Sequence, residues 1–424
     1  MAICYLGLGS NLGDRKKNIQ LAIDFLRDID GIRIESSSAL YETDPQGCPY
    51  GSPKFLNGVI KIKTTLGPEQ LLMTLKSIEK KLGRKGVKQK FSPRPIDLDI
   101  LFYANKKINL PNLKIPHQHL RERDFVLKPL KEIAPKVIKS LARKMKVISS
   151  IDRMRQFIAE EKAMNKTIGF VPTMGCLHQG HLSLIRQAKK DCDICVASIF
   201  VNPIQFSPEE DYKKYPRDLE CDSILAKSAG CDCIFYPEVK NMYPESYLTY
   251  VNVEKITDCL CGAVRPGHFK GVTTVVAKFL NIIQPDIAYF GQKDYQQVLV
   301  IRKMAYDLNM PLKIKIMPII RESDGLSMSS RNTYLNVRER HEAAVLYQSL
   351  SKAKKMVLAG EKNSEKIIAG IRDMIMQKNS ARIDYIAVTD AGTLEPLEQV
   401  KGKALIALAV WLGKTRLIDN IIVA

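Results

Sequence analysis

GFVPTMGCLHQGHLSLIRQAKK, residues 169–190, decides the fold of the larger part of this chain. A short apolar strand runs into a turn containing glycine, and HLSLIRQAKK then reads as a helix. Working outward, RMRQFIAEEK (153–162) is helical and TIGFVP (167–172) is the strand itself. CVASIFVN (195–202) is a second strand, residues 218–229 are helical, and CIFYP (233–237) is a third strand. This alternation predicts an α/β domain with a doubly wound parallel sheet, Rossmann-like. After residue 322 comes a loop, then helices near 337–359 and 363–378 and strands near 382–389 and 403–411, which make a smaller α+β C-terminal domain.

The N-terminal third reads differently. AICYLGLG (2–9) is a strand and NIQLAIDFLRDI (18–29) an amphipathic helix. Residues 34–42 and 55–64 look like strands. PEQLLMTLKSIEKKLG (68–83) is a helix with proline in its first turn and glycine at its end. IDLDILFY (96–103) is another strand. The order strand-helix-strand-strand-helix-strand suggests an α+β sandwich of ferredoxin-like type. Residues 135–146 are basic, poor in Gly and Ser, and read as a short connector. The expected domains are therefore 1–140, 146–322 and 323–424.

Composition sets the outer bounds. At 424 residues, 45% hydrophobic and 26% charged, the chain is globular and too long for one ordinary domain. No apolar run approaches the ~20 residues of a membrane helix. The N-terminus lacks the shape of a signal peptide, so cytoplasm is expected. The formal net charge of +20 is spread along the chain rather than gathered in one tail. It fits nucleic acid, phosphate-rich nucleotides or a generally basic proteome. No helix-turn-helix, zinc-finger or RNA-stacking motif supports nucleic acid, and the cations sit among acids. Of three close cysteine pairs, Cys192/Cys195, Cys231/Cys233 and Cys259/Cys261, only the first is CxxC. It straddles a strand onset, so buried, reduced thiols are expected rather than metal ligands.

Several clusters carry chemistry. Asp97 and Asp99 alternate along a strand, which points both carboxylates to one face about 7 Å apart. Two such acids repel unless a cation lies between them, and hard oxygen ligands suit Mg²⁺ arriving with a nucleotide. The alternative is a solvated strand face. Arg84, Arg94, His117 and Arg123 surround them, and guanidinium forks suit phosphate oxygens. In the larger part, His178 and His181 stand beside a helix N-terminus directly after the first Rossmann-type strand, where imidazoles can face phosphate. Lys293 and Asp294 follow another apolar strand, and strand C-termini are where open α/β sheets bind ligands. Ser329, Ser330 and Arg331 on a loop could clamp a triphosphate. Together they favour nucleotidyl transfer.

Residues 1–135 resemble the 6-hydroxymethyl-7,8-dihydropterin pyrophosphokinase family in LGSNLGD (8–14), ETDPQG (42–47), FLN (55–57), IEKKLGR (78–84), SPRPIDLDIL (92–101) and IPHQHLRERDFVLKPLKEIAP (115–135). The resemblance implies pyrophosphate transfer from ATP to a pterin hydroxymethyl group. Asp97 and Asp99 would hold Mg²⁺ on the ATP phosphates. Glu79, Arg84, Arg94, His117 and Arg123 would contact ATP or steady its triphosphate. Thr43, Pro45, Phe55, Asn57 and Phe125 would form the pterin slot, with the two Phe rings sandwiching it. The chain departs from the family at Ser52, Phe91 and Gly86, which bear on the closing loop.

Residues 146–424 resemble pantothenate synthetase, of the nucleotidylyltransferase superfamily. The runs are PTMGCLHQGH (172–181), SIFVNPIQF (198–206), YPRD (215–218), LCGAVRPGHFKGVTTVV (260–276), FGQKDYQQ (290–297) and DGLSMSSRN (324–332). The resemblance implies that pantoate attacks ATP to give pantoyl adenylate, which β-alanine converts to pantothenate and AMP. Met174, Gly175, Cys176 (a variable position), Leu177, Gln179 and Gly180 would form the ATP loop. His178 and His181 would meet the phosphates, with His181 the expected proton donor. Gln205 and Gln297 would hold pantoate, with Gln205 also bordering β-alanine. Lys293 would neutralise the α-phosphate. Gly291, Gln292 and Asp294 would line the ATP site, Ile320 flank adenine, and Met328, Ser329, Ser330 and Arg331 close over it. A mobile lid and a homodimer through the synthetase part are also implied. The small-molecule substrates belong to separate pathways, so no channelling is expected, and neither nucleic acid nor membrane is an expected partner.

Overall fold

The computed structural model describes residues 1–45, 52–84, 93–142, 145–207 and 212–424. Gln46, Gly47, Lys85, Gly86, Lys88, Lys90, Phe91 and Ser92 lie outside the described residues. The chain divides into two compact units, Met1–Lys144 with Ser223–Ser228, and Met145–Asp222 with Ala229–Ala424. Residues on either side of 322 fall within the same unit.

The first unit runs β1 (Ala2–Ser10), α1 (Arg15–Arg27), β2 (Ile32–Ser37), β3 (Tyr41–Thr43), β4 (Phe55–Thr64), α2 (Pro68–Lys81) and β5 (Asp97–Tyr103). A short ribbon, β6 (Ile108–Asn109) and β7 (Lys114–Ile115), precedes α3 (Asp124–Ile133) and α4 (Pro135–Ala142). The sheet is antiparallel in the order β2-β4-β1-β5, with β3 beside β4. Strand alternation sorts its faces. Leu6, Leu8, Ile60, Ile62, Leu98 and Ile100 pack against Ile19, Ile23 and Leu26 of α1 and Leu71, Leu75 and Ile78 of α2. Asp14 starts α1 by accepting from Lys17 N, and Pro68 opens α2 where a missing N–H costs nothing. The opposite face carries Gly7, Gly9, Asn57, Asp97 and Asp99.

Two expectations change in detail. The stretch 34–42 is two strands, because Ser38 bonds to Val59 through both its N–H and its hydroxyl and turns the chain between them. Most of the 135–146 connector is the helix α4, opened by Pro135 and anchored by buried Ile138.

From Met145 the chain runs β8 (Lys146–Ile148), α5 (Ile151–Ala163), β9 (Ile168–Thr173), α6 (Gln179–Asp191), β10 (Ile194–Ile199), α7 (Leu219–Ser228, divided between the two units after Asp222) and β11 (Cys233–Phe235). It continues through α8 (Val239–Met242), α9 (Cys261–Val264), α10 (His268–Ile283), β12 (Ile287–Gly291), α11 (Tyr295–Asp307) and β13 (Lys313–Met317). These strands form an all-parallel sheet in the order β13-β12-β9-β10-β11-β8. Such sheets are covered on both faces, and every residue of β10 is buried. The chain moves outward from β9 to β10 and β11, then returns to place β12 on the other side of β9. The order therefore reverses between β9 and β12, where a ligand crevice opens beyond the strand ends.

The remainder is α12 (Val337–Glu342), α13 (Val345–Leu358), α14 (Ser364–Met376), β14 (Ala381–Asp390), β15 (Ala404–Leu412) and β16 (Thr415–Val423), the strands forming an antiparallel sheet in that order. β16 was not expected from the sequence. Asp419 and Asn420 interrupt its apolar pattern, yet both are buried, because each serves a partner described below. The cysteines in the described residues are free. Among the described residues, no group of three or more His, Cys, Asp and Glu side chains is arranged to hold a metal ion, and no helix is long and apolar enough to cross a membrane.

Candidate active sites

In the first unit a small cavity of about 60 Å³ opens on the sheet face opposite α1 and α2. Register makes its floor. Gly9 pairs with Asn57 on one side and Asp97 on the other, and Gly7 pairs with Asp99. A Cβ at Gly9 would lie 2.9 Å from the Asn57 amide oxygen, so glycine lets that amide lie across the floor. Thr43, Phe55, Asn57, Arg94, Asp97, Asp99, His117, Arg123 and Phe125 all line the cavity. Pro45, Glu79 and Arg84 do not.

Arg84 and Glu79 act from behind. Glu79 is buried and accepts from Leu98 N at 2.8 Å, while Arg84 lies 2.7 Å from Glu79 and 2.6 Å from Asp97. Arg94 meets Asp97 at 3.0 Å. Burial opposes charge on Asp97, but Arg94, Arg84 and Lys76 outweigh it and hold the carboxyl below its usual range. Burial and the neighbouring Asp97 push Asp99 the other way, although His117 stands 3.8 Å off. Burial likewise lowers the pKa of His117. Two crowded carboxylates of which one resists ionising fit a divalent cation, with phosphate oxygens and water completing its shell. Arg94 adds a buried Nε with no hydrogen-bond partner among the described residues. Asn57 donates to the Thr43 hydroxyl at 2.6 Å, leaving its carbonyl edge toward the floor.

In the second unit a cavity of about 240 Å³ lies at the ends of β9 and β12. It is lined by Met174, His178, Gly180, His181, Gln205, Gly291, Lys293, Asp294, Gln297, Ile320, Met328, Ser329, Ser330 and Arg331. The expected site residues Gly175, Cys176, Leu177, Gln179 and Gln292 are not in this lining. Leu177 is buried, Gln179 accepts from Arg186, and Gln292 turns to Asn420. A wider cleft of about 1090 Å³ shares Arg265, His268, Lys293, Asp294, Gln297, Ser329 and Arg331 and extends to β16.

The imidazoles lie 4.0 Å apart between centroids, tilted by 37°. His178 caps α6: its Nδ1 accepts from Gly180 N at 3.1 Å, and His181 Nδ1 accepts from His178 N at 3.4 Å. An Nδ1 that accepts leaves the proton on Nε2 in the neutral ring. Burial, reinforced by Lys293, pushes His181 down to about 4 against the pull of Asp294, and burial, His181 and Lys293 lower His178 well below the usual value. Both rings are therefore neutral at pH 7 and offer N–H donors without charge. The cationic share falls to Lys293, Arg331 and Arg265.

Residues outside the expected site hold these groups. Asn420 donates to the main-chain oxygens of Gln292 and Lys293, both at 2.9 Å, which fixes the turn bearing Lys293. Arg321 grips the neighbouring Asp419 with two bonds of 2.6 and 3.0 Å. The Tyr215 hydroxyl, pushed up to about 12 by burial, sits 3.1 Å from the Ser330 hydroxyl. Asn202 bonds Gln205 at 3.1 Å and is itself held by Tyr243 at 2.8 Å. His268 meets the Gln205 main-chain oxygen at 2.9 Å and Arg265 at 3.0 Å. Asn202, Tyr215, Arg265 and His268 stand in motif runs quoted above, so their positions were visible although their contacts were not.

A parallel sheet with neutral imidazole donors, a lysine and a Ser-Ser-Arg loop at its switch point defines an α/β enzyme that handles anionic, phosphate-bearing substrates. The family model described as pantoate-beta-alanine ligase matches residues 146–422, and the chain belongs to that family. Residues 5–135 match the model described as 7,8-dihydro-6-hydroxymethylpterin-pyrophosphokinase. Both families use ATP. The pantothenate synthetase of Caldicellulosiruptor saccharolyticus is 54% identical over 279 residues, 66% of this chain and 99% of that protein. That of Thermoanaerobacter pseudethanolicus is 55% identical over 278 residues, 66% and 98%. Among solved structures, pantothenate synthetase from Thermus thermophilus superposes with a TM-score of 0.62 at 43% identity, over 65% of this chain and 99% of that one. Pantoate-beta-alanine ligase from Francisella tularensis, complexed with beta-gamma ATP and beta-alanine, superposes with a TM-score of 0.54 at 35% identity, over 65% and 97%.

Proposed function

We propose that the chain is a bifunctional enzyme. Its first unit transfers pyrophosphate from ATP to 6-hydroxymethyl-7,8-dihydropterin. Its second unit condenses pantoate with β-alanine through pantoyl adenylate, releasing AMP and pyrophosphate. The antiparallel order of the first sheet supports a ferredoxin-like sandwich, and the parallel one a Rossmann-like nucleotidylyltransferase domain (146–322) followed by a C-terminal domain (323–424). The observation that carries the reading is convergence: each cavity gathers the donors and cations that its own reaction needs.

In the first unit the pterin ring lies between Phe55 and Phe125, with Asn57 and Thr43 on its polar edge and Pro45 nearby. Arg94, His117 and Arg123 take up the triphosphate, while Arg84, itself paired with Glu79, keeps Asp97 ionised. Mg²⁺ held by Asp97 and Asp99 would supply charge neutralisation at the phosphates. What remains for the protein is alignment of the hydroxyl with the β-phosphate.

In the second unit Gln205 and Gln297 hold pantoate so that its carboxylate oxygen attacks the α-phosphorus and pyrophosphate departs. Lys293 balances charge at the α-phosphate. His178 and His181 donate Nε2–H bonds to phosphate oxygens, and Ser329, Ser330 and Arg331 close over the triphosphate. The β-alanine amine then attacks the acyl carbon, AMP departs, and the amine proton is lost. Gly291, Asp294, Ile320 and Met328 seat the nucleoside, and Gly175, Cys176, Leu177, Gln179, Gly180 and Gln292 shape the loops around it. We place the protein in the cytoplasm. We also read the synthetase part as a homodimer, with the exposed Leu248 and Tyr250 among the side chains it would cover, and light scattering on the purified chain tests this. The function is tested by incubating the full chain with ATP and Mg²⁺. AMP should appear with the pterin alone in one assay and only with pantoate plus β-alanine in the other. AMP release independent of these substrates would refute it.

A further inference from the structure

The loop between β9 and α6 carries two consecutive residues in the left-handed region, Gly175 at φ +87° and Cys176 at φ +51°. A non-glycine residue there costs about 1 kcal/mol or more and needs something to hold it. The support comes from Asp222, in the first turn of α7 and almost fully buried. Its Oδ2 accepts from Cys176 N at 2.9 Å and its Oδ1 from Leu177 N at 2.8 Å. Both carboxylate oxygens are thus spent on adjacent main-chain donors, one residue ahead of His178. A Cβ at Gly175 would stand 3.0 Å from Asp222 Oδ2, so glycine is what lets the carboxylate approach.

Two consequences follow. The N–H groups of Cys176 and Leu177 are already engaged, and Gly180 N is taken by His178. Those three N–H groups are therefore already committed, and the side chains of His178, His181, Lys293 and the Ser329–Arg331 loop remain to meet phosphate. And the direction in which His178 enters α6, hence the aim of both Nε2–H donors, depends on the carboxylate of another helix. We propose that Asp222 is a positioning residue for adenylate formation: it sets the loop that aims His178 and His181 at the triphosphate, without touching substrate itself. This rests on the adenylate-forming reaction proposed above.

The test separates the half-reactions in the full chain. Asp222→Asn keeps the shape but sets an NH₂ against one of the two main-chain donors, and Asp222→Ala removes both acceptors. Pantoate-dependent exchange of labelled pyrophosphate into ATP reads adenylation. Single-turnover transfer from supplied pantoyl adenylate to β-alanine reads the second step, which involves no β- or γ-phosphate. Losing a charge-assisted bond of this kind predicts a fall in exchange of roughly 10- to 100-fold, with acyl transfer within about threefold of the parent. Equal loss of both half-reactions would mean a merely structural role, and unchanged exchange would mean none; either overturns the proposal. If the parent chain itself shows no pantoate-dependent exchange, the reaction assignment fails, and not only the role of Asp222.

Discussion

Replacing Asn420 by Ala should slow pantothenate formation although its side chain only holds the turn that bears Lys293. Its amide donates two bonds of 2.9 Å to the main-chain oxygens of Gln292 and Lys293, from a position 4% exposed where water cannot easily replace it. Neutral hydrogen bonds of this kind are worth about 1 kcal/mol each. If both act on the placement of Lys293, the loss of about 2 kcal/mol of transition-state stabilisation corresponds to roughly a 30-fold lower rate. Asn420→Asp is the sharper variant, because it keeps the shape while replacing both donors with an acceptor. The assay is steady-state AMP release with pantoate and β-alanine, alongside pyrophosphoryl transfer to the pterin as an internal control. A change of less than about twofold in both variants, with KM for ATP unaltered, would show that the turn holds Lys293 without β16 and would refute the reasoning.

Asp97→Asn should abolish pyrophosphoryl transfer and leave pantothenate formation intact, while Lys293→Ala should do the reverse; product assays on the same preparations check both, and loss of both activities in either variant would contradict independent sites. The folded His181 titrates near 4, against an ordinary 6.5. Its depressed value contributes stability that is fully present above pH 6.5 and lost as the pH falls toward about 4. The melting temperature of the second unit should drop over that window, and less so in His181→Gln. Gly175→Ala forces φ +87° on alanine and sets a methyl 3.0 Å from Asp222 and Ile199, which should cost about 1–2 kcal/mol; unchanged thermal stability and ATP affinity would show that the loop accommodates it.

The sequence exposed the chemistry more readily than the scaffold that aims it. His178, Lys293, Arg331, Asp97 and Asp99 are polar groups in short runs beside strands, and topology brings each set together. Their supports could not be read the same way. Asp222 looks like one acid in an ordinary amphipathic helix, and nothing local marks it as the partner of a loop 46 residues earlier. Asp419 and Asn420 break the alternation that identifies a strand, so the pattern hides β16 for the same reason that it is useful: polar residues are buried there to hold other parts of the chain. Arg84 and Glu79 were expected to contact ATP or steady its triphosphate, and in the structure neither lines the cavity, Arg84 pairing with Asp97. A motif records which residues recur together, but not which of them faces the cavity.

The uncharged state of the two neighbouring imidazoles bears on turnover. A receptor built wholly from fixed cations would cling to departing pyrophosphate as firmly as to the incoming nucleotide, since both present the same oxygens. Neutral N–H groups bind by direction more than by long-range attraction, and their hold weakens once the chain of phosphates is cut and its pieces shift. Keeping these rings dry and unprotonated lets the enzyme recognise its nucleotide closely and still let the fragments go.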